Sequence, residues 1–180
     1  MLVGNNRRRM QLKTSYTSRE VAALTGLTAR QLQWWDAHGI FQSSIAARRT
    51  ESGGFTERRY SPMDVLELIA LADLRRKGFE PSQLKQAIEV LRDYFRRRLS
   101  ETLDDAGELR LMTGEGSLFL RTRQGHVFDL LVDPMQPMIA DGLPMKPVTA
   151  REQRQKAKGV VRQKAEGVAR QKAEGKRQKI

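Results

Sequence analysis

The chain has no cysteine, which excludes a disulfide framework, a thiolate metal site and a cysteine nucleophile. It has two histidines, His38 and His126, far apart in sequence, and each reads most simply as a surface or turn residue. No stretch approaches the roughly 18 apolar residues of a membrane span. The opening run MLVGNNRRRM lacks the apolar core of a signal peptide. These absences predict a soluble, cytoplasmic protein that makes no use of a membrane. Aromatic residues stop at Phe128, and beyond Val148 the sizeable aliphatics are Val160, Val161, Val168 and Ile180. That is too little apolar surface for the last part of the chain to bury a core.

What is abundant is positive charge. Lys and Arg number 33 against 21 Asp and Glu, a formal net charge of +12 over 180 residues, and such a balance points to a polyanionic partner. The excess sits at the two ends. Residues 1–60 hold 10 basic and 4 acidic side chains, residues 61–145 hold 11 and 14, and residues 146–180 hold 12 and 3. The tail repeats with a period of eight as RQKAKG, RQKAEG and RQKAEG from Arg154, Arg162 and Arg170. Eight residues advance about 800° on an α-helix, so the valines drift around the surface instead of forming a seam. Gly159, Gly167 and Gly175 cost about 1 kcal/mol each in a helix. Two readings stay open: a disordered polycation adding sequence-independent phosphate contacts, or a solvated repeat with no selected role.

Upstream, helix punctuation is clear. Thr17-Ser18-Arg19-Glu20 is a capping-box pattern that starts a helix carrying Val21, Ala22 and Leu24 and closing at Gly26. Thr28-Ala29-Arg30-Gln31 repeats the signal, and Leu32 with Trp35 forms an apolar pair before Gly39. Two short helices joined by a glycine turn make a helix-turn-helix candidate. The stretch from Ile40 to Ser61 has β-formers around Ser52-Gly53-Gly54, which predicts a hairpin with Arg48, Arg49, Arg58 and Arg59 on its arms. A third helix opens at Ser61-Pro62 with Asp64 in its first turn, and Val65, Leu68, Ile69 and Ala72 share a face. A fourth opens near Pro81, carries Leu84, Ile88, Leu91 and Phe95, and is expected to run into Arg96-Arg97-Arg98.

From Tyr16 to about Tyr94 this order of motifs resembles the MerR-type transcription regulators. The segments that carry the likeness are YTSREVAALTGLTARQLQWWDAHGI and RRYSPMDVLELIALADLRRKGFEPSQL. The resemblance implies a winged helix-turn-helix that binds promoter DNA as a homodimer and presents distorted DNA to RNA polymerase. Here Gln33 precedes the pair Trp34-Trp35, where the family has arginine before two tyrosines. The family's long dimerisation helix is not evident either, since the helical pattern fades near Leu103.

After that point ELRLMT, SLFLRTR and HVFDLLVD read as a small three-stranded meander, by default a cap over the apolar side of the fourth helix. DPMQPMIADGLPMKP, with four of the six prolines, reads as a linker. The expected organisation is mainly α: a basic arm over 1–15, a winged helix-turn-helix head of four helices and a β-hairpin wing over 16–100, a β-meander over 101–134, and a linker with a disordered basic tail over 135–180.

The expected DNA contacts are Thr17, Ser18 and Arg19 on the first helix; Thr28, Arg30, Gln33 and Trp34 on the recognition helix; and Arg48, Arg49, Arg58, Arg59 and Tyr60 on the wing, Tyr60 packing or bonding at its base. Arg30 can fork onto guanine and Gln33 onto adenine in the major groove, while a plain phosphate contact is the commoner fate of one arginine. Trp35, on the face of Leu32, belongs to the core. Ser117, His126 and Asp129 can be written as a catalytic triad, but no nucleophile elbow or oxyanion glycine pattern accompanies them, so no enzyme, cofactor or metal site is expected. The partner is double-stranded DNA, with nucleoid association. The alternative is an architectural DNA binder or an antitoxin-like protein that grips another protein.

Overall fold

A computed structural model describes residues 13–49, 56–150 and 155. The first two helices start where the local code puts them. Thr17 caps α1 (Ser18–Thr25) and Thr28 caps α2 (Ala29–Ala37), each through a complete capping box, with Glu20 and Gln31 returning the hydrogen bond. Between them Gly26 takes φ 77°, a left-handed conformation that costs an L side chain about 1–2 kcal/mol. Short strands frame the helices: β1 (Tyr16–Thr17) pairs with β4 (Arg59–Tyr60), and β2 (Arg48–Arg49) pairs with β3 (Thr56–Glu57), all antiparallel. The Ser52-Gly53-Gly54 turn lies outside the described residues.

The pillar of the head is α3 (Pro62–Arg76), buried from Asp64 to Leu74. Leu68, Leu71 and Leu74 are almost completely enclosed, and each such side chain contributes about 1.5–3 kcal/mol of burial. α1, α2 and α4 (Pro81–Asp93) pack around it through Val21, Leu32, Trp35, Leu84 and Leu91. A helix buried nearly all round also buries its polar residues. Asp64 and Glu67, 0% and 6% exposed, are answered by one cation, Arg98: its Nη2 donates to Asp64 Oδ1 at 3.0 Å and its Nε to Glu67 Oε1 at 3.0 Å. Ser44 adds its N–H and hydroxyl to Asp64, and Ser100 does the same for Glu67.

That clamp requires the chain to turn back before Arg98, so α4 does not run into the arginine triplet. It ends at Asp93, and the chain folds back over its last turn. Arg97 N–H donates to Leu91 O at 3.0 Å, and Arg96 takes φ 53°, a position glycine usually fills. A 3₁₀ turn at Leu99–Thr102 then leads into the sheet.

The sheet has five antiparallel strands where three were expected. They are β5 (Leu109–Gly114), β6 (Ser117–Thr122), β7 (Val127–Asp129), β8 (Asp133–Met138) and β9 (Lys146–Pro147), in the order β8-β7-β6-β5-β9. β5 and β6 meet at Glu115-Gly116, both with positive φ (47° and 76°), as a two-residue type I′ hairpin requires. The proline-containing segment read as a linker supplies both outer strands, and Val148 beyond it is 1% exposed. Prolines are tolerated there because an edge strand need not donate every N–H to a neighbour. Gly114 shows how tightly the returning chain lies: a Cβ on it would sit 2.7 Å from Pro144 O. Leu111, Leu118, Leu120 and Leu130 on one sheet face join the head's core, and Phe95 stacks edge-on against Phe128 at 5.4 Å. The other face holds a small cluster of Met112, Phe119 and Val127.

Candidate nucleic-acid interface

With Leu32 and Trp35 turned inward, α2 presents the opposite stripe to solvent. Arg30, Gln33, Trp34 and Ala37 fall at i, i+3, i+4 and i+7, and all are exposed. The two adjacent tryptophans separate sharply: Trp35 is 4% exposed and Trp34 44%. The Trp34 ring is held in place by His38 one turn later, which stacks on it with centroids 4.1 Å apart. His38 Nδ1 is anchored 2.8 Å from Trp34 O. At the start of α2 the capping box uses the Thr28 and Gln31 amides. The Ala29 and Arg30 amides remain at the positive end of the helix, the usual setting for an anion.

The cations of this surface fall into two groups. Arg19 on α1 and Arg30 on α2 have no ion-pair partner among the described residues. Lys13, Arg58 and Arg59 have one each. Lys13 bonds Glu20 and lies over the Tyr16 ring, 5.0 Å from its centroid. That contact, followed by the Thr17 amide, lowers the Glu20 carboxyl to about 2.

Arg58 reaches back to α2, its Nη2 2.7 Å and its Nε 2.9 Å from Asp36 Oδ2. Arg59 Nη2 lies 2.9 Å from Glu57 Oε2. Thr17 spends its hydroxyl on capping, and Ser18 shares a hydrogen bond with the Tyr60 phenol. Tyr60 itself is 3% exposed and packs at the root of the paired strands, as a residue at the wing base would. Burial raises its phenol above the usual range. The backbone of Arg48 and Arg49 forms β2, while their side chains lie outside the described set.

Three features here escape a reading of the sequence: the Asp36–Arg58 tie, the Trp34–His38 stack, and the Ser43 hydroxyl that donates to Arg59 O and holds the loop after α2 to β4. The stack leaves a signal in its i, i+4 spacing. The others join residues 16 to 22 positions apart and leave none.

Ser117, His126 and Asp129 do not form a relay. The Ser117 hydroxyl donates directly to Asp129 Oδ1 at 2.7 Å, and the same oxygen accepts the Leu131 and Val132 amides. Asp129 therefore shapes the turn before β8. Among the described residues, no group of three or more His, Asp or Glu is arranged to hold a metal ion, and no helix is long and apolar enough to cross a membrane.

Two capped helices joined at a left-handed glycine, backed by two more helices, define a helix-turn-helix head. Residues 16–91 match the family model described as MerR HTH family regulatory protein, so the head is a MerR-type helix-turn-helix domain. No curated protein matches the chain.

Proposed function

We propose that the protein is a sequence-specific transcription regulator that lays α2 in the major groove of promoter DNA and its β2–β3 hairpin, as a wing, on the flanking backbone or minor groove. The observation that carries this reading is the outward stripe of α2, where an arginine with no ion-pair partner among the described residues, a glutamine and a stacked tryptophan stand on a helix fixed by its cap and by two buried apolar anchors. Arg30 reads a base, Gln33 a neighbouring one, and Trp34 donates its indole N–H to a phosphate. Arg19 and the Thr28 end of α2 grip the backbone. Arg58 acts through Asp36, holding the wing at a set angle to the recognition helix, and Arg59, Arg48 and Arg49 supply the wing's charge. The regulator works as a homodimer on an inverted repeat, presents that promoter to RNA polymerase, and resides with the nucleoid in the cytoplasm. It carries out no chemistry of its own.

Selection of bound sequences from random DNA tests this, using the full chain and a version ending at Ala150, whose N–H donates to Leu103 O at the end of the 3₁₀ turn. An enriched inverted repeat is the expected result. On that site Arg30→Ala should cost about 1–3 kcal/mol and relax one base position. Equal loss on every sequence would make Arg30 a phosphate contact. Binding with no enriched motif would replace the regulator with an architectural DNA binder.

A further inference from the structure

The sheet holds a charge arrangement that sheets ordinarily avoid. Arg110 on β5 stands directly opposite Arg121 on β6. Side chains alternate along both strands, so Leu111 and Leu120 enter the main core while Arg110 and Arg121 share the other face with Met112 and Phe119. Directly opposed Cβ atoms lie about 4.5–5.5 Å apart, and like charges there are destabilising. Arg123 follows at the end of β6, its backbone fixed by an N–H donated to Glu108 O at 2.8 Å. All three arginines line one cavity of about 560 Å³, in which Asp105 is the single carboxylate. None of the three has an ion-pair partner among the described residues.

A second cavity of similar size, about 540 Å³, lies between residues 39–44, α3 and α4 and is also lined by cations. There each charge is answered: Lys85 by Glu89, Arg92 by Asp93, Arg97 by Glu108, and Arg98 by Asp64 and Glu67. Where charge serves the fold, this protein neutralises it. At the Arg110–Arg121 pair it does not, and three cations against Asp105 leave a net +2 facing the cavity.

We propose that Arg110, Arg121 and Arg123 form a phosphoryl-anion site on the sheet, taking a phosphate group of a free small molecule or of a nucleic-acid backbone. A guanidinium offers a planar fork that matches two phosphate oxygens. Two forks facing each other across neighbouring strands bracket a dianion, which removes the repulsion the empty pair carries. The site does not depend on how the head reads DNA.

The test is titration of the full chain with sodium pyrophosphate at constant ionic strength, followed by thermal unfolding and calorimetry. Wild type should unfold at a higher temperature than in the matching sodium chloride control. Arg110→Gln or Arg121→Gln should weaken pyrophosphate binding about tenfold or more. The basic tail is common to all variants, so its own affinity cancels from the comparison. Arg121→Glu, which turns the like-charge pair into a cross-strand ion pair, should unfold above wild type without ligand and lose the pyrophosphate response. If that variant fails to fold, the double variant R110Q/R121Q carries the same test.

The source of the phosphate is read from duplex DNA binding. If the DNA backbone supplies it, the slope of log affinity against log salt falls by about 2 in R110Q/R121Q. An unchanged slope with a lost pyrophosphate response assigns a free phosphorylated ligand. An equal pyrophosphate response in wild type and R110Q/R121Q, together with an unchanged slope, overturns the site.

Discussion

The head and the sheet share one hydrophobic core, yet they are specified in different ways. In the head, α1, α2 and α3 each open with a polar residue whose hydroxyl caps its own first turn, so the instruction lies within four residues of the place it acts. In the sheet, β8 and β9 flank partners that precede them in the chain, and β9 pairs with β5 more than 30 residues upstream. Their sequences, DPMQPM and KP, carry no strand signal. The contrast shows that a short element can be held wholly by its neighbours when it lies at an edge. The two regions also treat charge differently: the head's buried carboxylates are clamped, while the sheet sets two arginines face to face.

The comparison breaks first if the two regions are separate folding units. Leu68→Ala in α3 and Leu120→Ala in β6 both remove a fully enclosed side chain of the common cluster. Each should cost about 2–5 kcal/mol, and both should lower one shared transition in urea followed by circular dichroism. Two transitions, each moved by only one substitution, would divide the molecule.

The carboxylate clamp comes next. Arg98→Met leaves Asp64 and Glu67 without their cation and should cost about 1–3 kcal/mol at neutral pH, reduced from the fully buried case because the Arg98 side chain is 46% exposed. Burial pushes the Asp64 carboxyl up, but the Ser61 amide, Ser44 and Arg98 together hold it below its usual 3.8. The folded state therefore binds that proton less readily than the unfolded chain. Its stabilisation is complete above the usual value and is lost as pH falls through the lowered one. Acid titration of stability should show a steeper loss in wild type than in Arg98→Met.

Smaller effects sharpen the comparison at single residues. Gly114→Ala places a methyl against Pro144 O and should cost about 1–3 kcal/mol, with hydrogen exchange rising first in β9 and the segment before it. Arg96→Gly relieves a left-handed arginine at the end of α4 and should raise stability by about 1 kcal/mol, measured as a shift in the urea midpoint at constant slope.

Much of the head was legible beforehand. The caps at Thr17, Thr28 and Ser61, the division of Trp34 from Trp35, and the antiparallel pairing of Arg48–Arg49 with Thr56–Glu57 all follow from local chemistry or helical spacing. The end of α4 was not, because Arg96 fills a position where sequence would normally show glycine. Nor were the outer strands, since prolines carry a strong local turn signal that the pairing overrode. At the candidate interface the residue types on α2 and the packing of Tyr60 at the wing base were readable, but not that Arg58 is tied to Asp36.

By itself the sequence determined the helix starts, the inward and outward faces of α2, the β5–β6 hairpin and the positive charge, since each rests on spacing or on contacts within a few residues. Only the tertiary structure decided which of the described arginines are tied to carboxylates, where α4 stops, and that a proline-rich stretch closes a sheet. Those outcomes depend on groups distant in the chain meeting in a shared interior, where burial makes an unanswered carboxylate costly and a long-range hydrogen bond or ion pair able to outweigh local preference.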